Sequence, residues 1–388
     1  MSRPLLIVAI SGRTLAAAAR RAGFEPVVID LFNDLDTRTL AIRSQAVAGS
    51  IDEGFETEAL LAAAIADPDL QLVYGAGFED RPELLARLAA GRRLYGNAPE
   101  TLARIKDPAY FFRLLDRLAV PHPEIALGPP EADAGWPGGW LVKRIGGAGG
   151  AHVRAARREG AVAGHYFQRR SEGRSVSALF LANGRDALTL GFSLQWGAPG
   201  RGLGFLFGGA AQPARFEPAI AETMAGILPR LVAETGLVGL NSADFLVRPD
   251  GFELLEINPR PGATLDIFDK APQGAGEDAG QGLLALHLAA CDGVLPPTWW
   301  PAPGASACAV LYAPRDLTVP KHFAWPGWAA DRPDGGSAIP AGAPLCTVLA
   351  ETAETSDVDR VRQLVEQRSR QLLRAIEHPG ADALLGAA

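Results

Sequence analysis

The chain has 388 residues, 48% of them hydrophobic and 21% charged, with a formal net charge of −7. That length accommodates two or three domains with a substantial core, and the composition is that of an ordinary soluble globular protein. An acidic balance without a basic stripe sets aside nucleic acid as a partner.

Only four lysines, Lys106, Lys143, Lys270 and Lys321, stand among 37 basic residues, so each retained lysine is informative. Cys291, Cys308 and Cys346 show no metal-ligand spacing, and an odd count argues against a disulfide framework. The N-terminus, MSRPLLIVAISG, has too short an apolar run for a signal peptide. No run approaches the roughly 18 apolar residues of a membrane span. The expectation is a cytoplasmic protein without membrane contact.

In chain order, Leu5 to Ile10 reads as a buried strand, followed by Ser11-Gly12-Arg13 and an alanine-rich helix from Thr14 to Ala22. A second strand over Pro26 to Asp30 completes a βαβ opening, which implies a parallel sheet. Gly12 stands alone where a dinucleotide fold needs G-x-G-x-x-G. A helix near Glu56 to Ala66 precedes a strand from Leu70 to Tyr74, which ends in Gly75-Ala76-Gly77-Phe78-Glu79-Asp80. Loops beyond the carboxyl ends of parallel strands are where open α/β sheets take ligands, so Ser11 to Arg13 and Gly75 to Asp80 are candidate substrate loops; tight-turn glycines explain them equally well.

The first domain closes near Tyr95-Gly96-Asn97. A helical stretch from Thr101 to Leu118 follows, with Lys106 and Pro108 inside it, and Gly128 to Gly139 reads as a linker. Trp140 to Ile145, Gly146-Gly147-Ala148-Gly149-Gly150 and Ala151 to Arg154 make a glycine-tipped hairpin, because strand-like residues flank the glycines on both sides. Glycine N–H groups can approach an anion closely, although a flexible turn is the blander reading. Strands over Gly164 to Arg169, Ser175 to Leu181 and Leu188 to Trp196 lead through the glycine-rich Gly197 to Gly209 to an amphipathic helix, Pro218 to Glu234, stopped by Gly236. Beyond Arg260, Pro272 to Gly282 reads as mobile. Leu283 to Ala290 is a helix, Ala307 to Tyr312 and Leu345 to Ala350 are strands, and Asp357 to Glu377 is a surface helix. The fold class is thus α/β and α+β multidomain, a parallel-sheet N-terminal domain followed by antiparallel strands.

The chain centres on Asn241 to Arg260, NSADFLVRPDGFELLEINPR. Two alternating segments flank Pro249-Asp250-Gly251, so a hairpin with a three-residue loop is expected. Pairing Arg248 with Phe252 sets Asp244 opposite Glu256. Asp244, Glu256, Asn258 and Arg260 then share one face, and Phe245, Val247, Leu255 and Ile257 fill the other. Facing carboxylates lie roughly 4.5–5.5 Å apart and repel, which calls for a cation between them. Mg²⁺ takes oxygen ligands, commonly one or two carboxylates plus substrate phosphates. A solvated face with a salt bridge from Arg260 would carry the same pattern, so the hairpin alone does not decide.

A lysine after a hinge, a lysine on the strand before a glycine-tipped hairpin, and an acidic hairpin occur here in one order. That combination resembles the ATP-grasp superfamily over essentially the whole chain, and most specifically in Glu256-x-Asn258-x-Arg260 with Asp244 twelve residues upstream. The resemblance implies a pre-ATP-grasp domain over 1–97, an ATP-grasp domain over 98–292 and a C-terminal subdomain over 293–388. It implies ATP and two Mg²⁺ ions, with Mn²⁺ as a substitute, held by Asp244, Glu256 and Asn258. Lys106 and Lys143 would contact the phosphates under a flap made of Gly146, Gly147, Gly149 and Gly150. Gln168, Arg169 and Arg170 would form the hinge against the adenine edge, with Glu172 near the ribose; the commoner pattern has a glutamate in place of Gln168.

Catalysis on this pattern is positioning and electrostatic stabilisation, with Lys143 fixing geometry and Arg260 steadying developing charge. The implied reaction is carboxylate–amine ligation through an acyl phosphate, on small-molecule substrates, with a homodimer as a compatible assembly. The chain looks closest to predicted ligases related to biotin carboxylase, a branch associated with methanopterin- and methanofuran-type one-carbon pathways, and tyramine–glutamate ligation is one candidate. The alternatives are a carboxylase using bicarbonate, a phosphotransferase, and a nucleotide-binding protein without turnover. The loops Ser11 to Arg13, Gly75 to Asp80 and Arg201 to Gly209 carry no readable substrate code.

Overall fold

The computed structural model describes residues 3–130, 139–157, 162–198, 204–269, 282–299, 303–353 and 357–378. The opening βαβ pattern folds as expected. Strands β1 (Pro4–Val8), β2 (Glu25–Asp30), β3 (Arg43–Ala46), β4 (Leu72–Tyr74) and β5 (Leu94–Tyr95) form a sheet in the order β3-β2-β1-β4-β5. Its neighbours run parallel. Leu5 to Val8 are fully buried, as befits a strand covered on both faces. Helices α1 (Arg13–Arg21), α2 (Leu35–Leu40), α3 (Thr57–Ala64) and α4 (Pro82–Ala89) accompany the sheet.

The helix expected over Thr101 to Leu118 is two helices, α5 (Pro99–Lys106) and α6 (Pro108–Arg117). Proline disfavours the helical conformation in the residue before it, and Asp107 is accordingly extended (φ −78°, ψ 111°), capping α6 by accepting from the Ala109 N–H at 2.8 Å. Lys106 thereby becomes the last residue of α5, where its side chain leaves the helix axis towards the hairpin.

A small antiparallel sheet follows, β6 (Ile125–Ala126), β7 (Trp140–Arg144), β8 (Arg154–Ala155) and β9 (His165–Arg169), in the order β8-β7-β9-β6. Trp140, Val142 and Phe167 form its own apolar layer. On the opposite face lie Leu141, Lys143, Tyr166 and Gln168, set side by side by the Tyr166–Lys143 and Gln168–Leu141 pairs.

The larger sheet contains β10 (Arg174–Asn183), β11 (Ala187–Gly197), β12 (Phe207–Gln212), β13 (Val238–Arg248), β14 (Gly251–Asn258), β15 (Ala305–Tyr312), β16 (Ala329–Ala330) and β17 (Pro344–Thr352). Its order is β14-β13-β10-β11-β12-β15-β17-β16, so the C-terminal strands continue the central sheet through the β12–β15 pairing. Helix α7 (Pro218–Thr235) ends at Gly236 in the left-handed region, φ 71°, and delivers the chain into β13. Short α8 (Leu265–Phe268) and α9 (Leu283–Cys291) pack against β1 and α1 in one apolar cluster that includes Leu5, Ile7, Ala16, Leu265 and Leu284. The terminal α10 (Val358–Glu377) covers β15 and β17. The stretch expected to be mobile, Pro272 to Gly282, lies outside the described residues except for Gly282. No helix of the described residues is long and apolar enough to cross a membrane.

The β1–α1 loop joins three parts of the chain. Arg13, 5% exposed, forks onto both carboxylate oxygens of Asp266 at the start of α8. It also reaches Asp331, with Nε 3.0 Å from Oδ1 and Nη2 2.8 Å from Oδ2. Ser11 Oγ donates to the same carboxylate at 3.2 Å. The polar groups of this candidate substrate loop are therefore engaged inside the protein. Removing one member of a buried ion network leaves the others unpaired, at a cost of about 3–5 kcal/mol. Arg13→Ala is expected to lose stability of that order in urea denaturation. Arg13→Lys should recover only part, because an ammonium cannot present the planar fork.

Candidate active site

The hairpin reaches its arrangement by a route the spacing does not show. Arg248 pairs with Gly251 and Val247 with Phe252, so the turn has two residues rather than three. A bulge between the Phe245–Leu254 and Asp244–Glu256 pairs then removes the one-residue slip. Asp244 still faces Glu256, and Ser242 faces Asn258. Leu255, expected in the core, is the bulged residue and is half-exposed, while Phe252 and Leu254 turn inward. Bulges re-aim side chains and recur beside active sites.

The acidic face is densely bonded. Asp244 accepts from Ser177 Oγ of β10 at 2.6 Å and from Asn258 Nδ2 at 2.9 Å. Lys106 Nζ, at the end of α5, donates to Asn258 Oδ1 at 3.1 Å and lies 3.4 Å from Glu256 Oε2. Burial, then Glu256 across the ribbon, pushes the Asp244 carboxyl up to about 6. Burial would raise Glu256 as well, but Lys106 and then Lys143 outweigh it and hold that carboxyl down at about 2. Across the gap Lys143 donates to Gln168 Oε1 at 3.0 Å. Burial depresses its ammonium, opposed by the fields of Glu256 and Asp244. Lys106, Lys143, Asp244, Glu256 and Asn258 thus converge between the two sheets.

The flap glycines join β7 to β8. Gly146 sits at φ 71°, and a Cβ there would lie 2.6 Å from the Asp80 backbone. Gly150, at φ 80°, would bring a Cβ within 1.8 Å of the Phe205 carbonyl oxygen, and Gly149 accepts from the Phe207 N–H at 2.9 Å. Gly147 lies against the His152 ring. The flap therefore rests between the Gly75–Asp80 loop and the segment at 204–207.

The hinge residues divide. Gln168 is buried and faces Lys143. Arg169 turns to the other face, its guanidinium over the Trp140 ring. The N–H groups of Arg169 and Arg170 are committed to the carbonyls of Glu124 and Gly139, both at 2.8 Å. Glu172 is exposed, and its carbonyl accepts from Arg248. Arg170 and Glu172 therefore stand apart from the convergent group.

Arg260 does not join the carboxylate face directly; its Nε donates to Glu79 Oε1 at 2.7 Å in a buried pair. Burial would raise Glu79, but Arg260 and then Lys106 bring it below the usual carboxylate range. The other Glu79 oxygen accepts from the Gly77 and Phe78 N–H groups at 2.7 and 3.0 Å. Pro259, just before Arg260, gives its carbonyl to Asn97 Nδ2 at 2.8 Å and to the Tyr74 hydroxyl at 3.3 Å. Glu79 was legible only as a loop residue, and Asn97 only as a domain boundary. Ser177, Tyr166 and His152 carried no signal of their own. Burial lowers His152 to about 4 although Glu256 opposes it, and burial with the field of Glu256 raises the Tyr166 phenol.

The donor set suits a hard divalent cation, with two opposed carboxylates, an amide, and an ammonium already drawn to them. Among the described residues no group of three or more His, Cys, Asp or Glu gathers as a metal site. Such a set holds a metal together with water and substrate phosphates.

Residues 106–264 match the family model of the ATP-grasp domain. This part of the chain is an ATP-grasp domain. A likeness in fold to solved structures extends beyond this part to nearly the whole chain. The biotin carboxylase domain of a single-chain bacterial carboxylase superposes with a TM-score of 0.66 at 18% identity, covering 98% of this chain and 94% of that one. The biotin carboxylase domain dimer of Hydrogenobacter thermophilus 2-oxoglutarate carboxylase, complexed with MgADP, ADP and bicarbonate, gives 0.69 at 14%, covering 98% and 95%. N5-carboxyaminoimidazole ribonucleotide synthetase from Thermotoga maritima gives 0.63 at 16%, covering 95% and 98%. Among curated proteins none matches the chain by sequence.

An aspartate whose folded pKa, about 6, exceeds its ordinary 3.8 contributes stability that is complete below the lower value and is lost as pH rises through the upper one. Ionised Asp244 is thus a burden on the metal-free ATP-grasp domain at neutral pH. Asp244→Asn is expected to raise stability at pH 7.5 by roughly 1–2 kcal/mol, less than the whole displacement implies because the side chain is half-exposed. The gain should vanish at pH 3.5. Urea denaturation in EDTA at the two pH values reads both.

Proposed function

We propose that the protein is an ATP-dependent carboxylate–amine ligase acting through an acyl phosphate. The observation that carries this reading is the convergence of Lys106 and Lys143 on Asp244, Glu256 and Asn258 between two sheets, under a glycine flap. Two cations and an acidic oxygen cluster are what a triphosphate and its metal require from opposite sides.

Lys106 and Lys143 would receive the phosphates of ATP between the sheets, and the hinge at Gln168 its base. Asp244, Glu256 and Asn258 are the donors that would hold Mg²⁺, which when bound neutralises phosphate charge. Lys143, fixed by Gln168, and the flap N–H groups orient the γ-phosphate and exclude water. A substrate carboxylate oxygen then attacks the γ-phosphorus. The bond from that phosphorus to the bridging oxygen breaks, and ADP leaves with the electron pair. An amine adds to the carbonyl carbon of the acyl phosphate, phosphate departs with the C–O bonding pair, and the amine gives up one proton. Arg260, held by Glu79 and by the Pro259 carbonyl contacts, steadies the negative charge that develops on the acid. The acid and amine of methanofuran-type tyramine–glutamate ligation are one pair of this class.

A second reading takes bicarbonate as the acid. It is favoured by the likeness to biotin carboxylase domains, one of which is described with bicarbonate bound. Both readings share the phosphoryl-transfer step.

Glu256→Gln removes one negative oxygen while keeping shape, and it is expected to lower ADP release by at least about 100-fold with the thermal transition retained. Wild-type-like turnover in that variant would reject the assignment. ADP release that requires an amine and a carboxylic acid favours ligation. Incorporation of labelled bicarbonate favours the second reading.

A further inference from the structure

Gln168 has a property that the phosphate-binding arrangement does not use. Its side chain is 2% exposed, and Oε1 accepts from Lys143 at 3.0 Å. Lysine Nζ has only protons to offer, so that contact fixes which end of the amide is oxygen. The Nε2 group is left buried with no hydrogen-bond partner among the described residues. A buried donor without an acceptor is unfavourable, and in a folded protein it calls for an explanation such as a ligand.

The position of the amide says which part of a ligand it would meet. Gln168 is in β9, opposite Leu141 of β7 and Ile125 of β6, one residue before the chain leaves that strand at Arg169 for the hinge. Lys143 lies between it and the carboxylates, since the Lys143 ammonium contacts Gln168 on one side and feels Glu256 and Asp244 on the other. Phosphates belong at the carboxylate end, so the base belongs at the amide end. Resting on the nucleotide-site reading above, we infer that Gln168 is a specificity-determining residue whose Nε2–H donates to an acceptor atom of the purine base. The exocyclic amino group of adenine is itself a donor and cannot satisfy Nε2. The available partners are N1, N3 and N7 of adenine; in a 6-oxopurine N1 carries a proton, N3 and N7 remain, and O6 beside N1 takes its place as acceptor. Hypoxanthine nucleotides therefore bind at least as well as adenine nucleotides, in contrast to a site that presents a carboxylate to the amino group.

The test uses the full-length protein with Mg²⁺ and calorimetric titration of ATP, ITP, 1-deaza-, 3-deaza- and 7-deaza-ATP, and tripolyphosphate. In wild type, loss of the engaged ring nitrogen is expected to weaken binding about tenfold, the size of one well-made hydrogen bond. ITP should match or exceed ATP. Gln168→Met, similar in shape and without a donor, should level that discrimination to within about twofold, on top of whatever uniform loss the released Lys143 causes in every ligand, tripolyphosphate included. The wild-type comparison stands even where the variant folds poorly. ATP, its three deaza analogues and ITP binding within about twofold of one another in wild type would overturn the inference, as would full discrimination among the nucleotides in Gln168→Met. Failure of all the nucleotides and of tripolyphosphate to bind would overturn the nucleotide-site reading itself, a distinct result.

Discussion

The arrangement depends on two carboxylates that repel each other. Asp244 and Glu256 are fixed in opposition by the ladder of β13 and β14. Neither can swing away, because Ser177 and Asn258 hold the first and Lys106 the second. A half-buried pair of like charges is stable only with cations nearby. Lys106 and Lys143 supply part of that, and the residual strain appears as the raised pKa of Asp244 beside the lowered one of Glu256. The site is thus poised to take up further positive charge, as the proposed magnesium–nucleotide site requires.

The N-terminal sheet completes the same site from the other side. Arg260 comes from the hairpin, but Glu79 orients its guanidinium, and Asn97 and Tyr74 hold the backbone just before it. The base of the flap leans on the same loop through Gly146 and Asp80. A change in how the N-terminal sheet sits on the ATP-grasp domain would therefore move Arg260 and the flap together. The Arg13 fork onto Asp266 and Asp331 keeps that seating fixed, and a second contact, from the exposed Arg21 onto buried Asp269, backs it from the far end of α1.

Much of this was legible in sequence wherever a residue's role follows from its own strand or turn. The β1–α1–β2 opening, the glycine-tipped hairpin and the Asp244–Glu256 opposition all rest on local periodicity and nearby turns. The route to that opposition did not, because a two-residue turn plus a bulge and a three-residue turn without one place Asp244 identically and differ only from Gly251 to Leu255. Pro108 was read as a tolerated interior proline, yet its restriction on Asp107 breaks the helix and gives Lys106 its reach. The roles of Glu79, Ser177 and Asn97 were not legible for a different reason. Each matters through a partner 67 to 181 residues away, and no local pattern encodes such a pairing.

Concavity would have pointed elsewhere. A cavity of about 700 Å³ opens among Arg3, Phe24, Gln71, Tyr95 and Leu288. It lies at the amino ends of β1, β2 and β4, whereas ligands of open α/β sheets sit beyond the carboxyl ends of the strands. Its walls join the β1 and β2 starts to α9, with Arg3 and Asp292 as the charged residues among a mostly apolar lining. The acidic face between the two sheets has instead a flap, two buried lysines and a donor amide arranged around one axis from hinge to hairpin. A site that must hold a polyphosphate is defined by where its charges aim, and here Lys106 and Lys143 aim at Glu256.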